Sequence, residues 1–151
     1  MTNDKRHTMN AVNIESLLGG PDILGFEINT EMDLYELSKE GIPKKSLLSL
    51  IKNINLSMRA MSKILHITER TLQRKKDLDL LSENISEHII QIAEVYTRGN
   101  QVFNNNDAFE SWMNASSKAL ANKKPKELLS SRYGVQLVLD ELGRIEHGIF
   151  S

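Results

Sequence analysis

The densest chemistry in this sequence is cationic. Residues 44–76 carry Lys44, Lys45, Lys52, Arg59, Lys63, Arg70, Arg74, Lys75 and Lys76 against a single acid, Glu69, a local charge of +8. The flanks are acidic: residues 1–43 hold three cations and eight acids, and residues 77–151 hold seven cations and eleven acids. The formal net charge of −1 conceals this separation. A basic middle between acidic flanks suits a polyanion held on one part of the molecule; a solvated helical surface is the alternative. Side-chain spacing favours the polyanion. Arg70, Gln73 and Arg74 recur at i, i+3 and i+4 around the apolar Leu72. Arginine pairs bidentately with guanine, and glutamine with adenine, at major-groove base edges. Thr68, Thr71, Arg59, Lys45, Lys63 and Lys75 suit phosphate oxygens, which position a protein without reading sequence.

Such side chains need a rigid pair of elements behind them. Ser57 is a helix N-cap, followed by Met58, Met61, Ile64 and Leu65 at helical spacing. His66-Ile67 interrupts the pattern. Thr68 then caps a second helix, with Glu69 in its positive first turn and Leu72 as its buried anchor. Two short helices, a three-residue turn and a cation-rich second helix describe a helix-turn-helix, whose second helix enters the major groove. Aligned on Leu72, the positions that commonly hold Ala and Gly in this motif hold Ser62 and His66. Serine is small, and histidine is among the residues enriched at positive φ. Lys75 stands where an apolar residue is common, so the expected recognition helix is short. A helical hairpin used only for packing is the alternative.

The rest of the chain also has helical periodicity. Residues 1–12 are expected to be disordered, within an N-terminal extension over 1–32. There a short apolar helix ends at Gly19-Gly20-Pro21, and Ile23, Leu24, Phe26 and Ile28 dock irregularly. Asp33 is the expected N-cap of a helix to about Lys39, stopped by Gly41. Pro43 opens a helix with Leu47, Leu48 and Ile51 on one face. Ser82 caps a long helix over about 83–103, with Ile85, Ile89, Ile92, Tyr96 and Phe103 on one stripe. Gly99 inside it would let another backbone approach, and with the long stripe it points to a symmetric dimer. Asp107 and Glu110 suggest a capping box for a helix carrying Phe109, Trp112 and Met113. Lys124-Pro125 opens a short helix with Leu128 and Leu129. Val135, Val138, Leu139, Leu142 and Ile145 form a last stripe, closed by Gly148. The expected fold is all-α, with a helix-turn-helix region over 33–80 and a second helical region over 81–151.

Composition excludes several classes. Aromatic residues are 5% of the 151, against 40% hydrophobic overall, and the apolar residues are mostly Leu and Ile, which argues against an all-β sandwich. The absence of cysteine excludes disulfides, thiolate metal sites and a cysteine nucleophile. The polar first residues lack a secretory h-region, and no run reaches the roughly 18 apolar residues of a membrane span. A soluble cytoplasmic protein is expected. His7, His66, His88 and His147 are scattered without metal-ligand spacing. Gly19-Gly20 is too short for a phosphate loop, and the serines lack a nucleophile-elbow context. No enzyme, catalytic residue, metal or cofactor is expected.

Three stretches occur together: ITERTLQRKK (67–76) followed by Leu81-Ser82, AEVYTRGNQVF followed by AFESWM (93–113), and KPKELLSSRYGVQLVLDELGRIEHGIFS (124–151). This combination resembles the Xre/MbcA/ParS antitoxins, partners of RES-domain toxins. Trp112, Ala119-Leu120, Pro125 to Leu129, Tyr133-Gly134 and Leu142 to Gly148 carry its more specific part. One loop departs: the family often has Pro-Asn before its Ala-Leu and two glycines after, where this chain has Ala115 to Lys118 and Ala121-Asn122. The resemblance implies a DNA-binding repressor of its own operon. It also implies that the C-terminal part dimerises and blocks a RES-domain toxin that degrades NAD. With the last helix packed inward through Val138, Leu142 and Ile145, its end would present Arg144, His147 and Phe150 to the toxin. Closure of the chain's own core by Ile149 and Phe150 is the alternative. A stand-alone transcription regulator, sensing a ligand or partner through its C-terminal region, is the second functional hypothesis.

Overall fold

The computed structural model describes residues 13–148. The disorder expected over residues 1–12, His7 among them, and the chain end Ile149-Phe150-Ser151 lie outside the described residues. Among the described residues every regular element is helical, and β-pairing is confined to isolated bridges between Pro43 and Leu80 and between Ser117 and Lys123. The all-α expectation holds. The chain divides into two compact units between Glu94 and Val95.

The first unit contains α1 (residues 13–17), α2 (Pro21–Leu24), α3 (Glu31–Glu40), α4 (Lys44–Ile54), α5 (Met58–Leu65), α6 (Glu69–Arg74) and the start of α7 (Glu83–Phe103). The N-terminal extension is part of its core: Ile14, Leu18, Leu24 and Ile28 are buried. Ser49 Oγ and Asn53 Nδ2 of α4 donate to the Leu17 carbonyl at 3.2 and 3.1 Å, tying the end of α1 down. The cap of α3 differs from expectation. Thr30, not Asp33, is the N-cap; its Oγ1 accepts from Asp33 N at 3.2 Å. Asp33 Oδ2 in turn accepts from Thr30 N and Asn29 N. This reciprocal box satisfies more of the orphan N–H groups than Asp33 could alone. Those donors, Asn29 first, favour the charged carboxylate and hold Asp33 below the ordinary carboxylate range.

Gly41 ends α3 at φ 94°, as expected. A Cβ there would fall 2.3 Å from the Leu81 carbonyl oxygen, so only glycine fits. On α4 the buried positions are Ser46, Leu47, Leu50 and Ile54, with Leu48 and Ile51 half-buried. The helix is rotated from the expected face because its Ser49–Asn53 edge is held against α1.

Helix α7 has the expected 21 residues, but its buried surface is wider than one stripe. Ser86, His88, Ile89, Ile90, Ile92, Ala93, Val95, Tyr96 and Thr97 are all buried, while Ile85 and Phe103 are half-buried. Of the stripe expected to favour a dimer, Ile89, Ile92 and Tyr96 are buried within the chain itself.

The second unit contains the end of α7, α8 (Asn106–Met113), two 3-10 helices (Lys118–Leu120 and Pro125–Ser130) and α9 (Arg132–Glu146). Asn105, not Asp107, caps α8, its side chain accepting from Ala108 N at 3.0 Å. An Asn in extended conformation just after left-handed Asn104 reaches the third helical N–H; Asp107 already lies inside the first turn. Gly99 is filled by the Phe109 ring, since a Cβ would lie 2.1 Å from its Cε1 and Cζ. Its small size therefore serves an internal contact, not the approach of a second copy. Phe109 also meets Tyr96 edge-on at 5.4 Å, Phe103 at 5.8 Å and Trp112 at 6.3 Å. Burial raises the Tyr96 hydroxyl far above its usual pKa, with Glu110 adding to the shift. Along α9, Val135, Val138, Leu139 and Leu142 are buried and Ile145 is half-buried. Gly148 follows the last turn at φ 70°, as its expected C′ role requires.

Candidate nucleic-acid interface

Helices α5 and α6 pack together as the two arms of the expected helix-turn-helix. Ser57 caps α5, accepting from Ala60 N at 3.0 Å, and Thr68 caps α6, accepting from Thr71 N at 3.1 Å. At the turn His66 takes φ 57°, the left-handed position predicted for it. Ile67 N donates to the Ser62 carbonyl and His66 N to that of Lys63, which closes α5 with a Schellman pairing. Ser62 is buried, its hydroxyl donating to the Arg59 carbonyl at 2.8 Å. Leu72 is fully buried and anchors α6.

That anchor sets the outward face. At about 100° per residue, Arg70, Gln73 and Arg74 share one side of α6, roughly opposite Leu72. All three are exposed, as are Arg59, Lys63, Thr68, Thr71 and Lys45, while Lys75 is half-buried. Thr68 Oγ1 and Thr71 Oγ1 lie 2.8 Å apart and already share a hydrogen bond, so one of the two protons is taken.

Helix α6 ends at Arg74, and Lys75 leaves in extended conformation. The following loop is stitched to the start of α4. Lys44 Nζ donates to the Lys75 carbonyl at 2.9 Å, Lys44 N to that of Asp79 and Lys45 N to that of Asp77. The first turn of α4, Lys45 included, is thus held beside the exit of α6. In the sequence Lys44 shows only as charge; its partner lies 31 residues away, beyond any local signal.

At the end of α9 the expected toxin-facing residues Arg144 and His147 are exposed, whereas Phe150 lies outside the described residues. Arg144 places both Nε and Nη2 2.7 Å from Glu141 Oε2, and Glu146 faces Arg98 at 3.5 Å. The two charges serve different partners, as their separation of about 200° around a helix demands. Among the described residues no group of three or more His, Asp or Glu could hold a metal ion, and no helix is long and apolar enough to cross a membrane.

Comparison with known proteins assigns both units. Residues 33–94 match the antitoxin Xre-like helix-turn-helix domain, ending where the first unit ends. Residues 98–148 match the antitoxin Xre/MbcA/ParS C-terminal toxin-binding domain. This chain belongs to the Xre/MbcA/ParS antitoxin family. A relative described as Antitoxin Xre, from Yersinia enterocolitica serotype O:8 / biotype 1B, is 31% identical over 87 residues. That match covers 56% of this chain and 59% of the relative. The family match begins inside α3, so the buried α1 and α2 residues precede it. The family resemblance places glycines after Ala-Leu, where Ala121 and Asn122 stand; both have positive φ, 57° and 64°. The backbone of this loop is one that glycine suits, carried here by residues with a Cβ.

Proposed function

We propose that this chain represses its own operon through the helix-turn-helix and neutralises a toxin through residues 81–151. The reading rests on one observation: exposed Arg70, Gln73 and Arg74, backed by a buried Leu72, share a chain with a domain of the toxin-binding kind. In this reading residues 33–80 bind promoter DNA in the cytoplasm. Arg70, Gln73 and Arg74 contact base edges, and Thr68, Thr71, Arg59, Lys63, Lys75 and Lys45 contact phosphates. The toxin is a RES-domain protein that degrades NAD, and Arg144, His147 and Phe150 contribute to its contact. The chain acts by binding, not by catalysis. A homodimer would set two recognition helices on two half-sites.

The test is co-expression with the product of the adjacent reading frame, followed by co-purification, growth measurement and NAD measurement. Rescue of growth and cellular NAD by a stable complex is the expected result; an adjacent product that neither harms cells nor binds defeats the antitoxin reading. For DNA, Arg70→Ala and Arg74→Ala should each weaken promoter binding by about 1–3 kcal/mol. Lys45→Ala or Lys63→Ala should weaken binding to all sequences and flatten its salt dependence. Equal affinity for wild type and the Arg70/Arg74 double variant at several salt concentrations sinks the base-reading assignment. Sedimentation as a monomer at micromolar concentration counts against the dimer.

A further inference from the structure

Among its described residues, the second unit leaves large apolar side chains exposed in one place. Among its described residues the exposed large hydrophobics are Tyr133, 79% exposed, and Leu137, 38% exposed. They stand at i and i+4 on α9, so they are neighbours on one face. Continuing along that face at about 100° per residue come Asp140, Arg144 and His147, all within an arc of about 80°. Every one of these residues is exposed. The opposite side of α9 is the buried Val135, Val138, Leu139 and Leu142. Gly134, beside Tyr133, packs directly on the Leu128 backbone, where a Cβ would fall 2.1 Å from the Leu128 carbonyl oxygen. The start of α9 thus packs closely on the 3-10 helix Pro125–Ser130, and the exposed Tyr133 stands beside that contact.

We infer that this outward face of α9, anchored by Tyr133 and Leu137 at one end and Arg144 at the other, is the surface on which the toxin docks. The inference rests on the antitoxin reading above and adds where the contact energy resides. Exposed Tyr and Arg are the residue types that dominate binding hot spots, and an aromatic ring with two rotatable angles loses little entropy on docking. The face runs about 20 Å from Tyr133 to His147. It lies wholly in the segment matched to a toxin-binding domain. The occupant it fits is a protein with an apolar recess for the Tyr133–Leu137 pair and an acidic or carbonyl group within reach of Arg144. Arg144 is already oriented by Glu141. The chain end is then an accessory to this contact, not its anchor.

The experiment compares wild type, Tyr133→Ala, Leu137→Ala and the double variant, using the purified product of the adjacent reading frame as the probe. Alanine is the best helix former and both sites are exposed, so circular dichroism and promoter binding should not change. Toxin affinity should fall by about 30-fold or more for Tyr133→Ala, the hot-spot threshold, and further for the double variant. Tyr133→Phe should retain most of the affinity. Affinity equal to wild type in the double variant overturns the inference and leaves the antitoxin reading standing. No binding by wild type defeats that reading itself. If the double variant instead loses self-association while binding the toxin normally, the face joins two copies of this chain and the inference is wrong.

Discussion

Gly99→Ala should destabilise this protein, although the same change in an ordinary helix interior stabilises by about 1 kcal/mol. The added methyl carbon would lie 2.1 Å from Phe109 Cε1 and Cζ and 2.6 Å from Cδ1. Carbon atoms rest about 3.5–4.0 Å apart, so the ring would have to retreat by roughly 1.4 Å or more. Phe109 is fully buried, with Tyr96, Phe103 and Trp112 around it. Close-packed interiors do not yield that distance freely. Overpacking commonly costs about 1–3 kcal/mol, and an overlap with three ring atoms belongs at the upper end. Setting about 3 kcal/mol against the propensity gain leaves a net loss of about 2 kcal/mol, or a fall in Tm of about 4–8 °C. Thermal and urea denaturation followed by circular dichroism would measure it. The same substitution in a Phe109→Leu background separates the two terms, because a smaller side chain can move aside. There the cost should shrink toward zero or change sign. A higher Tm for Gly99→Ala alone, or an identical loss in both backgrounds, refutes the packing argument.

Ala121→Gly should stabilise by roughly 0.5–1 kcal/mol, because relief of a left-handed alanine exceeds the entropy that glycine adds to the unfolded chain; a lower Tm would contradict the positive φ of 57°. Thr68→Ala should cost about 1 kcal/mol and Thr68→Ser much less, since the hydroxyl is the cap of α6; equal stabilities for the two variants would remove that role. Asp33→Asn should show a pH signature. The folded pKa is lowered, so the carboxylate's contribution is present above the usual value of 3.8 and lost as pH falls through the folded pKa. The stability gap between wild type and Asp33→Asn should therefore close below about pH 3.8; a gap that persists in acid argues against the capping box.

Sequence alone determined what depends on neighbours within one helical turn. The caps at Ser57 and Thr68, the stops at Gly41 and Gly148, the left-handed His66 and the inward Leu72 follow from local hydrogen bonds and helical spacing. So do the outward Arg70, Gln73 and Arg74, because a single buried anchor orients a short helix. Where two capping residues stood close together, sequence chose the wrong one: Asp33 over Thr30 and Asp107 over Asn105. Both carry acceptable cap chemistry, and only the entry direction of the chain separates them. Tertiary structure alone decided which edge of α4 faces inward and that Ile89, Ile92 and Tyr96 of the α7 stripe are buried within the chain itself. It also decided that Gly99 receives a phenylalanine ring and that Lys44 holds the end of α6. Each of these joins residues ten or more positions apart, where packing brings the partners together and the period of the apolar residues says only that some partner exists.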